Sequence, residues 1–496
     1  MARIVVIGAG MGALAAAARL AVAGHRVTVF ERTETYGGAV RRFERDGFRF
    51  DTGPGLLPLP AVWRDLFVKT GKQALEDRVE LVQADPSARH VFADGSEAAL
   101  PDTSRAGVVA ALDAALGAPA GERWGGFLVR ARETWDRTRR PLLEEPLWPN
   151  WGVLAEREPY PALPHKRLLR TRRAGTLAEV GAWELRDARL AALLESHALA
   201  YGLDPRTAPA NAAVLPYMEH AFGVWYVRGG LRELARAVYE RCVERRVEFR
   251  FHAEVAGIAV RDGRVAGVRL ADGAEAEADF VVAGVAPGVL DGLVDGAAVH
   301  AADGPPAAPQ RSAASRATVL LALRGSRPPG TAHRTVVHAP DREAELDALF
   351  GSVPGPPERP TVTVLRPDDP ASVPDAGHEA VTLTSVVPAG AAVDAERLVD
   401  AAARAVPGLR DRLLWHEVRT PADIAAATGA AGGAVPVPAL AAAGGRLLHA
   451  ANTTGIGGLF TAGGWSHPGG GLPHAGMSGA LVAGLVVEGP DFRGSA

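Results

Sequence analysis

The sequence predicts an α/β protein: a Rossmann-type nucleotide-binding domain made from separated segments, with an α+β domain inserted between them. Three observations support this. The stretch from Ile4 to Glu31 runs strand, glycine turn, helix, strand. Short apolar stretches of the same kind return within Ala278 to Gly284 and at Leu459 to Ala462. Between them the composition changes to mixed helices and hairpins with many Pro and Trp.

Ile4-Val5-Val6-Ile7 is a β-branched run suited to a strand buried on both faces. Gly8-Ala9-Gly10-Met11-Gly12-Ala13 follows as a phosphate-binding turn. Gly8 permits the tight turn, Gly10 lets a pyrophosphate approach the backbone, and small Ala13 lets the helix lie close to the strand. The helix is expected over Leu14 to Ala23, its N-terminal N–H groups facing phosphate. Arg26 to Phe30 is the second strand, and Glu31 at its end can accept hydrogen bonds from a ribose. An acid at this point favours FAD or NAD over NADP.

The chain has 496 residues, room for two or three domains and a large core. Its net charge of -3 gives no support for nucleic-acid binding. Cys242 is the one cysteine, so no internal disulfide framework exists, in keeping with a reducing cytoplasm. The first apolar segment contains the turn glycines and no cleavage-like site, so it reads as fold and not as a signal peptide. No uncharged apolar run is of membrane-spanning length. Basic residues are nearly all Arg, and Ala, Gly and Pro abound, a composition expected of a GC-rich bacterial genome.

After Glu31 and Arg32, Gly37-Gly38 forms a loop of close backbone approach, followed by Ala39, Arg41 and Arg42. Phe43 to Phe50 alternates as a hairpin around Asp46-Gly47, and Asp51-Thr52-Gly53-Pro54 makes a second turn. These residues resemble the bacterial phytoene desaturases, FAD-dependent carotenoid desaturases. That pattern has an acid, Gly-Gly with a base, the hairpin, then Gly-Pro-Thr/Ser. Here Ala39 stands where the base is usual and Gly55 where Thr or Ser is usual, with Arg41 or Arg42 available as the replacement cation.

From Leu57 to Tyr226 the expected features are a small hairpin at Val91 to Ser96, a Trp- and Arg-rich stretch from Arg123 to Arg140, and a proline-rich connector from Pro141 to Pro164. The densest basic run, His165 to Arg173, is either a membrane-facing surface or a solvated face. An amphipathic helix covers Arg189 to Tyr201, and the segment ending Gly223-Val224-Trp225-Tyr226-Val227-Arg228-Gly229-Gly230 resembles the return of the substrate domain to the flavin domain.

A helix is expected over Leu231 to Arg245, a strand over Val247 to Phe251 and a hairpin over Val255 to Val268. The resemblance implies that Val255 meets the adenine through its backbone. Later strand candidates are Val319 to Leu323, Thr361 to Leu365 and Ala380 to Val387, with a helix over Ala395 to Val406. The cofactor domain is expected at 1–80, 225–290 and 444–496, and the substrate domain at 81–224 and 291–443.

Leu459 to Ala462 is a strand leading into a glycine loop: Gly463-Gly464-Trp465-Ser466-His467-Pro468-Gly469-Gly470-Gly471-Leu472. A helix is expected over Ala475 to Val487, its N-terminus suited to the carbonyl end of a flavin. The His-Pro-Gly-x-Gly-Leu-Pro string is close to the carotenoid desaturase signature. The resemblance implies FAD held by Gly8, Gly10, Gly12, Ala13, Glu31, Arg32, Gly38, Ala39, Gly53, Pro54, Val255, Gly463, Gly464, Pro468, Gly470, Gly471 and Leu472.

It also implies desaturation of a carotenoid or other polyene by hydride transfer to the flavin, with an apolar tunnel for the substrate and oxygen or a quinone as electron acceptor. Candidate proton acceptors are His467, His474 and Glu219. A cytoplasmic protein is expected, peripheral on the membrane's inner face if the basic run meets lipid. Three other readings stay open: a polyene isomerase or saturase, an oxidase of an amine or another natural-product intermediate, and a flavoprotein that binds without turnover.

Overall fold

The first strand, β1 (Arg3–Ile7), is the middle of a five-stranded sheet in the computed structural model, which describes residues 1–167, 170–294, 299 and 314–494. Its neighbours are β2 (Arg26–Phe30), β3 (Glu248–Arg250), β4 (Phe280–Ala283) and β5 (Leu459–Thr461). The order is β3-β2-β1-β4-β5, with every pairing parallel. Three far-apart stretches of chain therefore build one sheet. Ile4 and Val6 pack into one core and Val5 and Ile7 into another, as a strand covered on both sides requires.

Three helices accompany the sheet: α1 (Met11–Val22), α2 (Leu231–Glu244) and α3 (Leu472–Glu488). Two of them begin earlier than the sequence led us to expect. α1 starts at Met11 and not Leu14, so Gly12 and Ala13 lie inside its first turn. α3 starts at Leu472 and not Ala475, because Pro473 lies in the first turn, where its missing N–H is not needed. Alanine and glycine line the α1–α3 contact. A Cβ at Gly479 would stand 2.5 Å from the Gly12 carbonyl and 2.7 Å from Ala15 Cβ.

A seven-stranded sheet faces this unit. Its order is Leu413–Arg419, Ala314–Arg324, His378–Pro388, Val362–Leu365, Arg334–Val337, Ala88–Val91, Glu97–Leu100. All its pairings are antiparallel except that of Arg334–Val337 with Ala88–Val91. One face is apolar: Val319, Leu321, Val364, Val381 and Leu383 pack on Leu398 and Val399 of the helix Ala395–Ala402. The helices Ala120–Arg139, Ala188–Ala200 and Val214–Phe222 share a separate core.

The proline-rich connector is more ordered than expected. The helix Ala120–Arg139 runs into a wider turn at Arg140–Glu144, and a short helix forms at Gly152–Glu156. The basic run forms a small hairpin, His165–Arg167 with Arg170–Arg172, while Leu168 and Leu169 lie outside the described residues. Part of the second insertion, 295–298 and 300–313, also lies outside them. Among the described residues no helix is long and apolar enough to cross a membrane.

Candidate functional site

The turn after β1 is built for close approach. Gly8 has φ +87° and its N–H donates to the Phe30 carbonyl at 2.8 Å. Gly10 caps α1 with no side-chain hydrogen bond, and a Cβ there would meet nothing within 4 Å. Space is therefore open in front of the helix N-terminus. The Gly37 N–H donates to the Ala9 carbonyl at 2.8 Å. Gly38, at φ +61°, lies so near that its Cβ would stand 3.0 Å from Gly10 Cα. Ala13 and Gly284 meet in the same way: a Cβ at Gly284 would lie 2.8 Å from Ala13 Cβ.

Glu31 is buried behind this turn. Its carboxylate accepts from the Ala9 N–H at 2.8 Å and from the Thr33 N–H and hydroxyl at 2.9 Å. The Ala253 N–H donates to the Glu31 carbonyl at 2.9 Å, which brings the start of the strand Val255–Arg261 alongside. Of the two arginines that follow, Arg41 is on the glycine loop, donating to Gly38 O and Thr33 Oγ1 at 3.0 Å. Arg42 instead reaches Glu233 and Gly229 O at 2.7 Å. Arg32 turns away to the Ala426 carbonyl. Gly53 packs under exposed Ala39, with a Cβ position 2.2 Å from its carbonyl oxygen, and Pro54 follows at the end of this turn.

The C-terminal loop closes the other side. Gly463 has φ +104° and nothing within 4 Å of its Cβ position, and its N–H donates to Ser478 Oγ at 3.0 Å. Asn452 pins the loop, donating to Ser478 Oγ at 3.0 Å and to the His467 carbonyl at 2.8 Å. A Cβ at Gly12 would be 2.7 Å from Gly463 Cα and 2.9 Å from the Ala475 carbonyl, so the starts of α1 and α3 stand together. Gly464 and Gly470 pack on Pro436, and the Pro468 carbonyl accepts from the Ala439 N–H. Gly471 caps α3 ahead of Leu472, again without a side-chain cap. Neither helix has an acidic residue in its first turn.

The three candidate proton acceptors differ. His467 is fully buried, with Nε2 2.9 Å from the Glu145 carbonyl and Nδ1 without a partner. Burial pushes its pKa down to about 4. His474, in the first turn of α3, also has an unpartnered Nδ1, and burial pushes it down to about 3. Glu219 lies elsewhere, on the helix Val214–Phe222, and binds Arg334 through both oxygens at 2.6 and 3.1 Å. Burial opposes its charge, but Arg334 and His197 together hold its carboxyl well below the usual carboxylate range.

Sequence reasoning did not single out two acids at the Gly229-Gly230 corner, half-buried Asp51 and buried Asp369. Asp51 accepts the first N–H groups of α2, from Leu231 at 2.7 Å and Arg232 at 3.2 Å, and burial raises its pKa to about 6. Asp369 accepts the Tyr226 hydroxyl at 2.7 Å and the Gly229 N–H at 2.6 Å. The Asp51 signal was its place just before the glycine turn; Asp369 had none, being remote in sequence.

A model of flavin-containing amine oxidoreductases matches residues 14–487. The chain belongs to that family. This flavin-containing oxidoreductase is 30% identical to a 4,4'-diapolycopene oxygenase of Methylomonas sp. over 98% of both chains. It is 32% identical to a hydroxyneurosporene desaturase of Cereibacter sphaeroides, over 98% of this chain and 97% of that one. It thus stands with the carotenoid desaturases. Among solved structures, an oxidoreductase from Methanosarcina mazei shares the fold at TM-score 0.64 and 16% identity, covering 97% of this chain and 99% of that one.

The cofactor of the family, FAD, fits the residues present. Two uncapped helix N-termini meet over open glycine backbone, suited to a pyrophosphate and to electron-rich ring carbonyls. Glu31 has lone pairs left for ribose hydroxyls. Arg41 supplies a cation on the loop where Ala39 supplies none. Gly55 is matched to its surroundings, since a Cβ there would meet Leu365 Cδ1 at 2.4 Å.

Proposed function

We propose that this flavoenzyme desaturates a polyene, removing hydrogen from adjacent carbons. The observation that supports it most is the whole-length likeness to an enzyme named hydroxyneurosporene desaturase. FAD, when bound, supplies a ring that accepts two electrons as hydride. The protein's own residues hold and orient. In this reading the α1 N-terminus with Gly8, Gly10, Gly12 and Ala13 receives the pyrophosphate, and Glu31 receives the ribose. Gly38, Gly53, Pro54 and Arg41 line the loop side, and the strand from Val255 takes the adenine. The loop Gly463–Leu472 and the start of α3 take the flavin ring.

Of the three candidate acceptors, His474 best suits the proton lost from carbon. Its placement carries this: the free Nδ1 lies 3.1 Å from the Gly471 Cβ position, at the loop edge, while burial makes the imidazole a weak base. Glu219 is already committed as an anion to Arg334. The division into a cofactor domain at 1–80, 225–290 and 444–496 and a substrate domain at 81–224 and 291–443 belongs to the same reading. So does delivery of the electrons to oxygen or a quinone. The hairpin at His165–Arg172, with exposed Lys166, Arg170 and Arg172, suits the cytoplasmic face of a membrane from which an apolar substrate is drawn.

Anaerobic addition of a polyene such as phytoene to the FAD-loaded protein is expected to bleach the flavin absorbance. Absence of bleaching with every polyene tried contradicts desaturation.

A further inference from the structure

The face of the seven-stranded sheet turned away from the helix Ala395–Ala402 is apolar only in part: Leu320, Ala322 and Ala380 pack on Phe48 and Phe50, and polar side chains stand beside them. Cross-strand register places Val336, Thr363, Thr384 and Thr318 in one row. A neighbouring row holds Arg334, Leu365, Thr382 and Leu320, and Arg316 lies opposite Val386 on the far side. Exposure alternates with the strand period: Val362, Val364, Val381 and Leu383 are buried, whereas Thr363, Leu365, Thr382 and Thr384 keep accessible surface. That surface is interior. Arg316, Arg334, Glu219 and Tyr201 lie deep among protein atoms and are still only half-buried, as side chains lining an internal space must be. At one end the floor meets a cleft bounded by Gly53, Gly55, Tyr226, Leu365 and Thr382. At the other, the Tyr201 hydroxyl stands 3.8 Å from the Gly471 Cβ position, beside the C-terminal glycine loop.

A pure hydrocarbon leaves such a floor unsatisfied. Arg334 is neutralised by Glu219. Arg316 forms no ion pair among the described residues, and its one hydrogen bond runs from Nη2 to the Ala200 carbonyl at 2.9 Å. The guanidinium has further N–H groups, all donors. Burial weakens its hold on its proton, with only Tyr201 opposing, so no fixed anion compensates it. These N–H groups keep accessible surface, so a ligand oxygen can take the place of water at them.

We propose that this floor binds a hydroxyl or carbonyl oxygen carried by the substrate, with Arg316 as donor. The inference rests on the polyene reading above and narrows it: the substrate is an oxygenated polyene and not a bare hydrocarbon. The threonine row gives that oxygen polar neighbours, and Arg334, held by Glu219, closes the polar patch.

The test uses FAD-loaded protein reduced with dithionite, so that binding occurs without turnover. Dissociation constants are read from the visible band of three polyenes of equal chain length: the hydrocarbon, its terminal alcohol and its terminal aldehyde. The wild type is expected to bind at least one oxygenated form about tenfold more tightly than the hydrocarbon, the scale of one hydrogen bond to a charged group. R316M is expected to erase that preference, bringing the three dissociation constants together, while R316K keeps part of it. Equal or tighter binding of the hydrocarbon by wild type overturns the oxygen site and leaves the desaturase reading standing. So does an equal loss for all three ligands in R316M. If none of the three binds and none bleaches the oxidised flavin, both fall.

Discussion

Glu31 receives three hydrogen bonds from its own chain, so its carboxylate is fixed before any ligand arrives. Glu31→Ala removes both the ribose acceptor and that anchoring of the turn. The expected loss in FAD affinity is about 10- to 100-fold, from charged hydrogen bonds worth about 1.5–3 kcal/mol. Fluorescence titration of the apoprotein with FAD measures it, and an unchanged affinity removes Glu31 from the site. Glu379 is a structural counterpart, 1% exposed and bound by Arg366 at 2.7 and 3.0 Å and by Arg412 at 2.7 Å. Glu379→Gln leaves two guanidinium groups against a neutral amide, at a cost of about 3–5 kcal/mol in denaturant unfolding.

The buried histidines set a pH response. His467 and His474 titrate near 4 and 3 in the folded chain, against 6.5 when exposed. The unfolded chain therefore takes up their protons first. Their stabilising contribution is complete above about 6.5 and is lost as pH falls toward about 4. Urea midpoints should drop between pH 7.5 and pH 5, and less so in His474→Asn. A midpoint independent of pH in both proteins contradicts this.

At the scale of elements, the α1–α3 crossing depends on missing side chains. A Cβ at Gly479 would stand 2.5 to 2.7 Å from Gly12 O, Ala15 Cβ and Ala16 N. Gly479→Val should force the helices apart, cost about 1–3 kcal/mol or more, and reduce bound flavin in the purified protein. Gly288, in the helix Pro287–Leu293, has nothing within 4 Å of its Cβ position. Gly288→Ala should instead stabilise by about 0.5–1 kcal/mol, so melting of the two variants in parallel separates packing from propensity. Local elements were legible in the sequence because their signals are local. The β1-turn-β2 unit, the hairpin at Asp46-Gly47 and the helix Leu231–Glu244 all follow from apolar period and turn residues. Helix starts were less legible, because Gly12 and Pro473 look like breakers until the close contact with Gly463 and the place of Pro473 in the first helical turn are known. The strands Arg334–Val337 and Leu413–Arg419 were not singled out, since their pairing partners are set by long-range contacts.

At the scale of the molecule, a parallel sheet drawn from three stretches of chain brings the glycine turn, Glu31, the Val255 strand and the Gly463 loop to one place. The motifs named FAD in the sequence, and family membership agrees. Which arginine serves the loop was not legible: Arg41 and Arg42 are adjacent, and only the fold turns one to Gly38 and the other to Glu233. Threonines favour strands wherever they point, so only register shows that Thr318, Thr363 and Thr384 share one face of the sheet.

The central claim is that this fold oxidises a polyene through its bound flavin. Its most direct test is the flavin spectrum under anaerobic conditions during addition of polyenes, oxygenated and not. Bleaching of the oxidised flavin band is expected, with matching growth of a longer conjugated polyene band, and return of the flavin band when an electron acceptor is admitted. A flavin band unchanged by any polyene but bleached by an amine would contradict it.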